Sequence, residues 1–467
     1  MNKIIFNNIK LSWFNMSQRE LELGFSSIGF NTYPIDENIY LKCFKSDKSA
    51  NLNIDETFLG MRLYDLTIYN ICNDLIIFKD ELDFNLHKDV IGKWFFYAKT
   101  IITDFDRIFN SNTFSLVIVV NGHSLLDACL LAFAKKHNLP FLCIENTSNR
   151  HRIVWDDISG KVVTYNLAKN YFHKYKNIVN SQTCRSYVTH FKSTVFDNKN
   201  EEHISNVNNT QIPFKKPFVL FLGQVYCDAA LLFGIEDDFN NPVDIIKDTI
   251  GVCHNLDMPL VIKLHPKELE GKSPAVDRPY GSPTYNRIKK YESENVYIDY
   301  LNSYNTFKLI KSSQIVVTVN SQAGLEACLY NKPVLSYSNS FYSGLGFTYD
   351  YDNKQALNRH IEFLIKNNIN VNKNLEQAQN FFYIFFERYC IKNSILDLFY
   401  KILQIGFFSK TVWLKFYILK IKKFIKGMLG PYVSVFYKYK KNKKIFNYIN
   451  LIFKWISLWK NKIFNEK

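Results

Sequence analysis

Phe114-Ser115-Leu116-Val117-Ile118-Val119-Val120 is an apolar run with a single polar interruption. It is followed by Asn121-Gly122, an amphipathic stretch from Ser124 to His137, and Pro140-Phe141-Leu142-Cys143-Ile144. This reads as strand, turn, helix and strand. Neither strand alternates polar with apolar residues, so both of its faces must be covered, as in a parallel sheet flanked by helices. Working outward, Lys3–Phe6 reads as a strand, Gln18–Ile28 as a helix and Asp89–Asn110 as a longer helix. Beyond the unit, Asp197–Thr210 is rich in Asn and acids and reads as a linker.

After the linker the pattern restarts. Strands are expected at Pro217–Leu222, Leu260–Leu264, Val296–Ile298, Ile315–Val319 and Pro333–Tyr337. Helices are expected at Val243–His254, Ser303–Lys311 and Ser321–Tyr330. The fold class is therefore α/β, with two Rossmann-like domains, 1–200 and 211–400, facing a cleft. In open sheets of this kind ligands bind beyond the carboxyl ends of the strands.

Composition narrows the function. The 467 residues carry a net charge of +15, yet Lys410–Lys467 alone holds fifteen Lys, no Arg and the single acid Glu466. A nearly neutral body thus carries a basic tail, unlike a nucleic-acid-binding protein with Lys and Arg spread over one face. Within the tail, Leu414, Ile418, Ile421, Ile425 and Met428 recur at helical spacing, and Ile445, Ile449, Ile452, Ile456, Trp459 and Ile463 do so again. No apolar run approaches the roughly 18 residues of a spanning helix. Residues 410–467 are expected to form basic amphipathic helices lying on an anionic membrane surface; a core-packing helix pair is the alternative. The nine cysteines include no Cys-x-x-Cys pair, which argues against a zinc ribbon or a disulfide framework. The first residues lack a signal-peptide core, so a reducing cytoplasm is expected.

Four strand-end segments hold the polar residues suited to chemistry. Gly223-Gln224-Val225-Tyr226-Cys227-Asp228 places a carboxylate just past a strand. Lys263-Leu264-His265-Pro266 delivers a His into a turn set by Pro. Asn320-Ser321-Gln322-Ala323-Gly324-Leu325-Glu326 leads into a helix whose first N–H groups suit a phosphate. Lys332-Pro333-Val334 runs on to Phe341-Tyr342-Ser343-Gly344-Leu345-Gly346-Phe347-Thr348. Alone, each segment has a plain structural reading: Asp228 as a helix cap or surface acid, His265 as a turn residue, Ser321 as a cap.

In this order the segments resemble the capsule polysaccharide biosynthesis family of retaining β-Kdo glycosyltransferases, which have the GT-B fold. The matching patterns are Gln-Val-x-x-Asp at Gln224–Asp228, Lys-x-His-Pro at Lys263–Pro266, Ser-x-x-Gly-x-Glu-Ala at Ser321–Ala327, Lys-Pro-Val at Lys332–Val334, and Phe-Tyr-x-Gly-x-Gly-x-Thr at Phe341–Thr348. Asn121-Gly122 and the strand-end Glu145 look like the family's corresponding N-terminal residues. Two positions depart from the pattern: Thr147 stands where Gly is usual, and Leu345 stands between the last two glycines where an aromatic is often found.

The resemblance implies an acceptor domain at 1–200 and a nucleotide-sugar domain at 211–400. Asp228 would be the nucleophile and Glu145 the acid/base for the acceptor hydroxyl. The donor, a CMP-sugar, would be held by Gln224, Lys263, His265, Pro266, Asn320, Ser321, Gln322, Gly324 and Glu326. Asn121, Gly122, Tyr342 and Thr348 would line the acceptor side or the cleft. No Asp-x-Asp motif falls at a strand end, so neither metal nor cofactor is expected. The implied partners are a nucleotide sugar, a lipid-linked or polysaccharide acceptor and an anionic membrane surface, without nucleic acid. The expected location is the cytoplasm, peripheral on the inner face of the inner membrane. A transferase using CMP-sialic acid or a UDP-hexose, and a non-catalytic scaffold for polysaccharide assembly, are the other readings.

Overall fold

The computed structural model describes residues 3–7, 18–27, 30–35, 52–147, 152–159, 166–196, 212–226, 228–235, 238–266, 268 and 282–405. The linker expected at Asp197–Thr210 and the amphipathic tail at 410–467 lie outside these residues. By its contacts the chain divides into two units, one comprising 1–26 and 30–407 and the other mainly 408–467. Apart from Ser27, everything described below belongs to the first.

The first lobe opens with β1 (Lys3–Asn7), α1 (Gln18–Ser27) and β2 (Asn31–Ile35), followed by the short hairpin of β3 (Thr57–Phe58) and β4 (Met61–Arg62). Then come α2 (Leu63–Leu75), α3 (Lys88–Ser111), β5 (Phe114–Val120), α4 (Leu125–Lys136), β6 (Phe141–Asn146), β7 (Arg152–Asp156), α5 (Asn166–Tyr175) and α6 (Ser181–Phe191). With a last strand, β14 (Ile391–Lys392), at one edge, the strand order is β14-β7-β6-β5-β1-β2. From β6 to β2 all pairs are parallel, whereas β7 runs antiparallel to β6. The Phe114–Val120 run is buried at every position but Ser115, as its lack of alternation requires. Strand order reverses between β1 and β5.

The second lobe contains β8 (Val219–Leu222), α7 (Ala229–Gly234), α8 (Pro242–Asn255), β9 (Leu260–Lys263), α9 (Pro283–Ile288), β10 (Val296–Asp299) and α10 (Thr306–Ser312). It continues with β11 (Ile315–Thr318), α11 (Gln322–Leu329), β12 (Val334–Tyr337), β13 (Tyr349–Tyr351) and α12 (Lys354–Lys366). Its strand order is β10-β9-β8-β11-β12-β13, parallel throughout. Numbered from β8, this is the doubly wound order 3-2-1-4-5-6, whose ligand crevice opens where the order reverses. Here that point lies between β8 and β11.

The last described elements are α13 (Leu375–Ile384), β14 (Ile391–Lys392) and α14 (Ile395–Ile405). They return to the first lobe, where β14 pairs with β7 as the edge of the first sheet. Trp155 Nε1 donates to Tyr389 O at 2.7 Å, and Tyr389 Oη donates to Trp155 O at 2.6 Å. Phe399 packs against Phe25 with the rings tilted by 47° and their centroids 4.6 Å apart. The end of the 211–400 segment is thus built onto the sheet of the first lobe.

The loop after α2 crosses in the opposite direction. Phe78, 2% exposed, sits in the apolar core of the second lobe with Val243, Ile246 and Ile288. Glu81 accepts a bidentate pair from Arg287 at 2.9 and 2.7 Å, and the guanidinium lies 5.2 Å from the Phe78 ring. Burying an aromatic ring outweighs a half-exposed ion pair. Phe78→Ala should therefore cost about 3–5 kcal/mol of unfolding free energy in urea, whereas Arg287→Ala should cost only about 1 kcal/mol.

Candidate active site

The carboxyl ends of β8 and β11 are joined by one side chain. Gln224 Oε1 accepts from the backbone N–H of Asn320 at 2.7 Å, and Gln224 Nε2 donates to Asp228 Oδ2 at 3.1 Å. Asp228 also caps α7, its Oδ1 accepting from Ala230 N at 2.9 Å. The helix-cap reading of Asp228 and its placement at the crevice thus coexist. Asn320 Oδ1 accepts from Phe341 N at 3.1 Å, which ties in the loop after β12. Ser321 caps α11 by accepting from Ala323 N at 3.2 Å. Asn320 N, Ala323 N and Gly324 N, which bonds to Ser321 O at 3.0 Å, are therefore all partnered within the protein.

Gly324 allows this packing. A Cβ there would lie 2.2 Å from Tyr342 Oη and 2.6 Å from Thr318 Cγ2. The Tyr342 hydroxyl needs that space to donate to Ser321 O at 2.9 Å. Tyr342 is fully buried, and burial pushes its phenol well up. Thr348 is buried too, donating to Asp350 Oδ1 at 2.6 Å, while Asp350 Oδ2 accepts from Gly344 N at 2.8 Å. Tyr342 and Thr348 thus shape the glycine loop from within. Glu326 is 1% exposed on α11, and Gln322 Nε2 approaches its Oε1 at 3.4 Å.

Lys263 is placed otherwise than its strand-end position suggests. It is 4% exposed and donates to Asp299 Oδ2 at 2.9 Å and Asn302 Oδ1 at 2.5 Å. Asp299 also accepts from Ser303 N at 2.7 Å and Tyr304 N at 3.3 Å. Burial lowers the Lys263 pKa, and the neighbouring carboxylate opposes that shift. The amine is thereby enclosed between the ends of β9 and β10, pairing a carboxylate within the sheet. His265 and Pro266 remain partly exposed at the turn beyond β9, and His265 O accepts from Glu268 N at 2.9 Å.

In the first lobe, Asn121 and Gly122 both adopt left-handed backbone conformations, φ 58° and 77°, the one region where Gly is free of strain and Asn is tolerated. Asn121 N donates to Ile144 O at 2.9 Å, so this turn lies against the residue preceding Glu145. Glu145 itself is partly exposed near the end of β6, opposite Val154. The next residue of the turn, His123, stacks on Phe233 of α7 at 5.1 Å and 14°. Asp228 caps that same helix. The turn after β5 therefore packs, across the lobe junction, on the helix that Asp228 caps.

Three supporting carboxylates and amides were not singled out from sequence. Asp127, fully buried, accepts from Asn7 Nδ2 at 2.8 Å, Val120 N at 3.1 Å and Ser124 Oγ at 2.7 Å. It bridges the β1/β5 switch point of the first lobe. Asn70 accepts from Leu125 N at 2.8 Å. Glu268, 1% exposed, accepts from Tyr226 N at 3.1 Å, Thr284 N at 3.3 Å and Thr284 Oγ1 at 2.9 Å. Burial raises its pKa while those donors pull it down. The only sequence signal was Glu268's position two residues after the His-Pro turn. Among the described residues no group of three or more His, Cys, Asp or Glu side chains is arranged as a metal site.

Residues 157–389 match the family model described as capsule polysaccharide biosynthesis protein. The match covers Asp228 and every second-lobe segment, while Asn121, Gly122 and Glu145 precede it. Among solved structures, one described as Thermosulfurimonas dismutans KpsC, beta Kdo 2,4 transferase, is similar at 17% identity and a TM-score of 0.42, over 62% of this chain and 87% of that one. Its beta Kdo 2,7 transferase counterpart is similar at 15% identity and a TM-score of 0.37, over 63% and 83%. The UDP-GlcNAc 2-epimerase of Neisseria meningitidis is similar at 12% identity and a TM-score of 0.33, over 82% and 98%. No curated protein matches the chain.

The Lys263–Asp299 pair makes a prediction of its own. Lys263→Met or Asp299→Leu alone strands a buried charge and should cost about 3–5 kcal/mol in urea unfolding, whereas the double substitution should cost less than either single one.

Proposed function

We propose that the chain, whose residues 157–389 match the capsule polysaccharide biosynthesis family model, is a glycosyltransferase. In this reading it moves an acidic, Kdo-like sugar from a CMP-sugar onto a bacterial capsular or lipopolysaccharide glycan, or onto its lipid-linked precursor, with retention of configuration. The observation that supports it best is Asp228, a carboxylate held at the β8/β11 switch point by an amide that also holds the approach to α11.

Retention follows from two inversions. An Asp228 oxygen attacks the anomeric carbon as the bond to the CMP phosphate breaks, the electron pair leaving with the phosphate. An acceptor hydroxyl then attacks the same carbon, Glu145 takes its proton, and the Asp228 carboxylate is released. With Lys263 paired inside the sheet, His265 and the start of α11 are the groups that would meet the departing phosphate. No cofactor enters this scheme.

Location belongs to the same proposal. No helix among the described residues is long and apolar enough to cross a membrane. The fifteen lysines of 410–467 would hold the enzyme against anionic lipid on the cytoplasmic face, close to a lipid-linked acceptor. Deleting 410–467 should move the protein from the membrane fraction to the soluble fraction.

Purified protein offered CMP-Kdo, CMP-sialic acid and UDP-GlcNAc should release nucleotide from CMP-Kdo, with the product's anomeric configuration read by NMR. Turnover of UDP-GlcNAc alone would remove the CMP-Kdo reading, and turnover of none would favour a scaffold. Asp228→Asn keeps the oxygen that caps α7 but turns its NH₂ toward that of Gln224, so it should cost no more than about 1–2 kcal/mol of stability. Its activity should fall by at least about 10³-fold.

A further inference from the structure

We propose that Gln224 is a positioning residue for the transfer: its side-chain amide orients the Asp228 carboxylate and locks it to the segment entering α11. The inference rests on the reading of Asp228 as the reacting carboxylate.

The orientation of the amide follows from its two partners. The backbone N–H of Asn320 can only donate, so the group 2.7 Å from it is the Gln224 carbonyl oxygen. That leaves the NH₂ facing Asp228 Oδ2 at 3.1 Å. A carboxylate's terminal torsion is otherwise broad and two-fold. Here one oxygen is held by Ala230 N at 2.9 Å and the other by Gln224.

The loop between Gln224 and Asp228 is also fixed from below, where Tyr226 N donates to the buried Glu268 at 3.1 Å. The Asn320 side chain carries the linkage on to Phe341 N at 3.1 Å. Two amides, those of Gln224 and Asn320, thus join the loops of β8, β11 and β12 at the carboxylate. A neutral donor stabilises the ionised form of Asp228 without placing a competing charge beside it. Gln suits that task where Glu, Lys or Arg would not. This assigns Gln224 to the protein's own carboxylate rather than to the donor nucleotide.

The test uses the full chain with whichever of CMP-Kdo, CMP-sialic acid and UDP-GlcNAc it turns over, comparing wild type, Gln224→Ala, Gln224→Glu and Asp228→Asn. Gln224→Ala should lower kcat by about 10- to 100-fold, the loss of a hydrogen bond to a charged group. KM for the donor should stay within about 3-fold of wild type. Gln224→Glu is near-isosteric and decides the matter if the Ala variant folds poorly. It should be weakly active at about pH 8, where two carboxylates face each other, and should regain activity toward about pH 5.5, where the pair shares one proton and the protonated Glu donates as Gln does. Wild type should show no such acid recovery.

A Gln224→Ala enzyme with unchanged kcat and a raised KM would overturn the proposal by making Gln224 a donor contact. Gln224→Glu activity with the wild-type pH profile, or low activity flat in pH, would overturn it as well. In each of these cases inactive Asp228→Asn would leave the Asp228 reading standing. Active Asp228→Asn would instead remove that reading and this inference together.

Discussion

A doubly wound sheet has one place where two adjacent parallel strands send their connections to opposite faces, and the backbone leaving those strands loses its sheet partners there. Buried N–H groups left without an acceptor are costly, so side chains must replace the missing ladder. Between β8 and β11 the replacement is Gln224, which accepts from Asn320 N. Between β1 and β5 of the first lobe it is Asp127, which accepts from Val120 N and Asn7. The two lobes solve the same problem with different chemistry. The lobe bearing Asp228 uses a neutral amide whose second end holds that carboxylate.

Around this point the charged residues act mainly as framework. Lys263 and Asp299 bind the ends of β9 and β10 together. Glu268 fastens the turn after β9 to the loop holding Asp228. Asp350 clasps both ends of the glycine loop through Gly344 N and Thr348. Each pairing is bought by desolvation, and each leaves a loop with little freedom to rearrange. Rigid strand-end loops are what a reaction needs if a carboxylate and a leaving phosphate are to be held within bonding geometry.

The lobes are fastened by elements exchanged between them. Phe78 of the first lobe fills the core of the second, and the chain beyond Tyr389 returns to extend the first sheet. His123, in the turn after β5, stacks on Phe233 of the helix that Asp228 caps. Glu145 and Asp228 stand on separate strand ends, and their relation depends on this junction rather than on either sheet alone.

Local pattern was enough for the elements whose burial is continuous. The strand at Phe114–Val120 was legible to the residue, and the strand–loop–helix segments from Val219 to Tyr337 were legible in order, because a buried parallel strand announces itself as an unbroken apolar run. Asp228, Glu145 and the four segments were legible as strand-end polar residues in a recognisable sequence. Edge strands other than β10 were not: Asn31–Ile35 is polar and half exposed, and Ile391–Lys392 is too short to show a period. Nor could Lys263 be separated from a phosphate ligand, since its partner Asp299 lies 36 residues away. The partners of Asp127 and the shared grip of Gln224 on Asn320 and Asp228 were likewise invisible. Hydrophobic periodicity is a property of neighbours in the chain, whereas the pairing of buried polar groups is set by which strand ends the sheet order brings side by side.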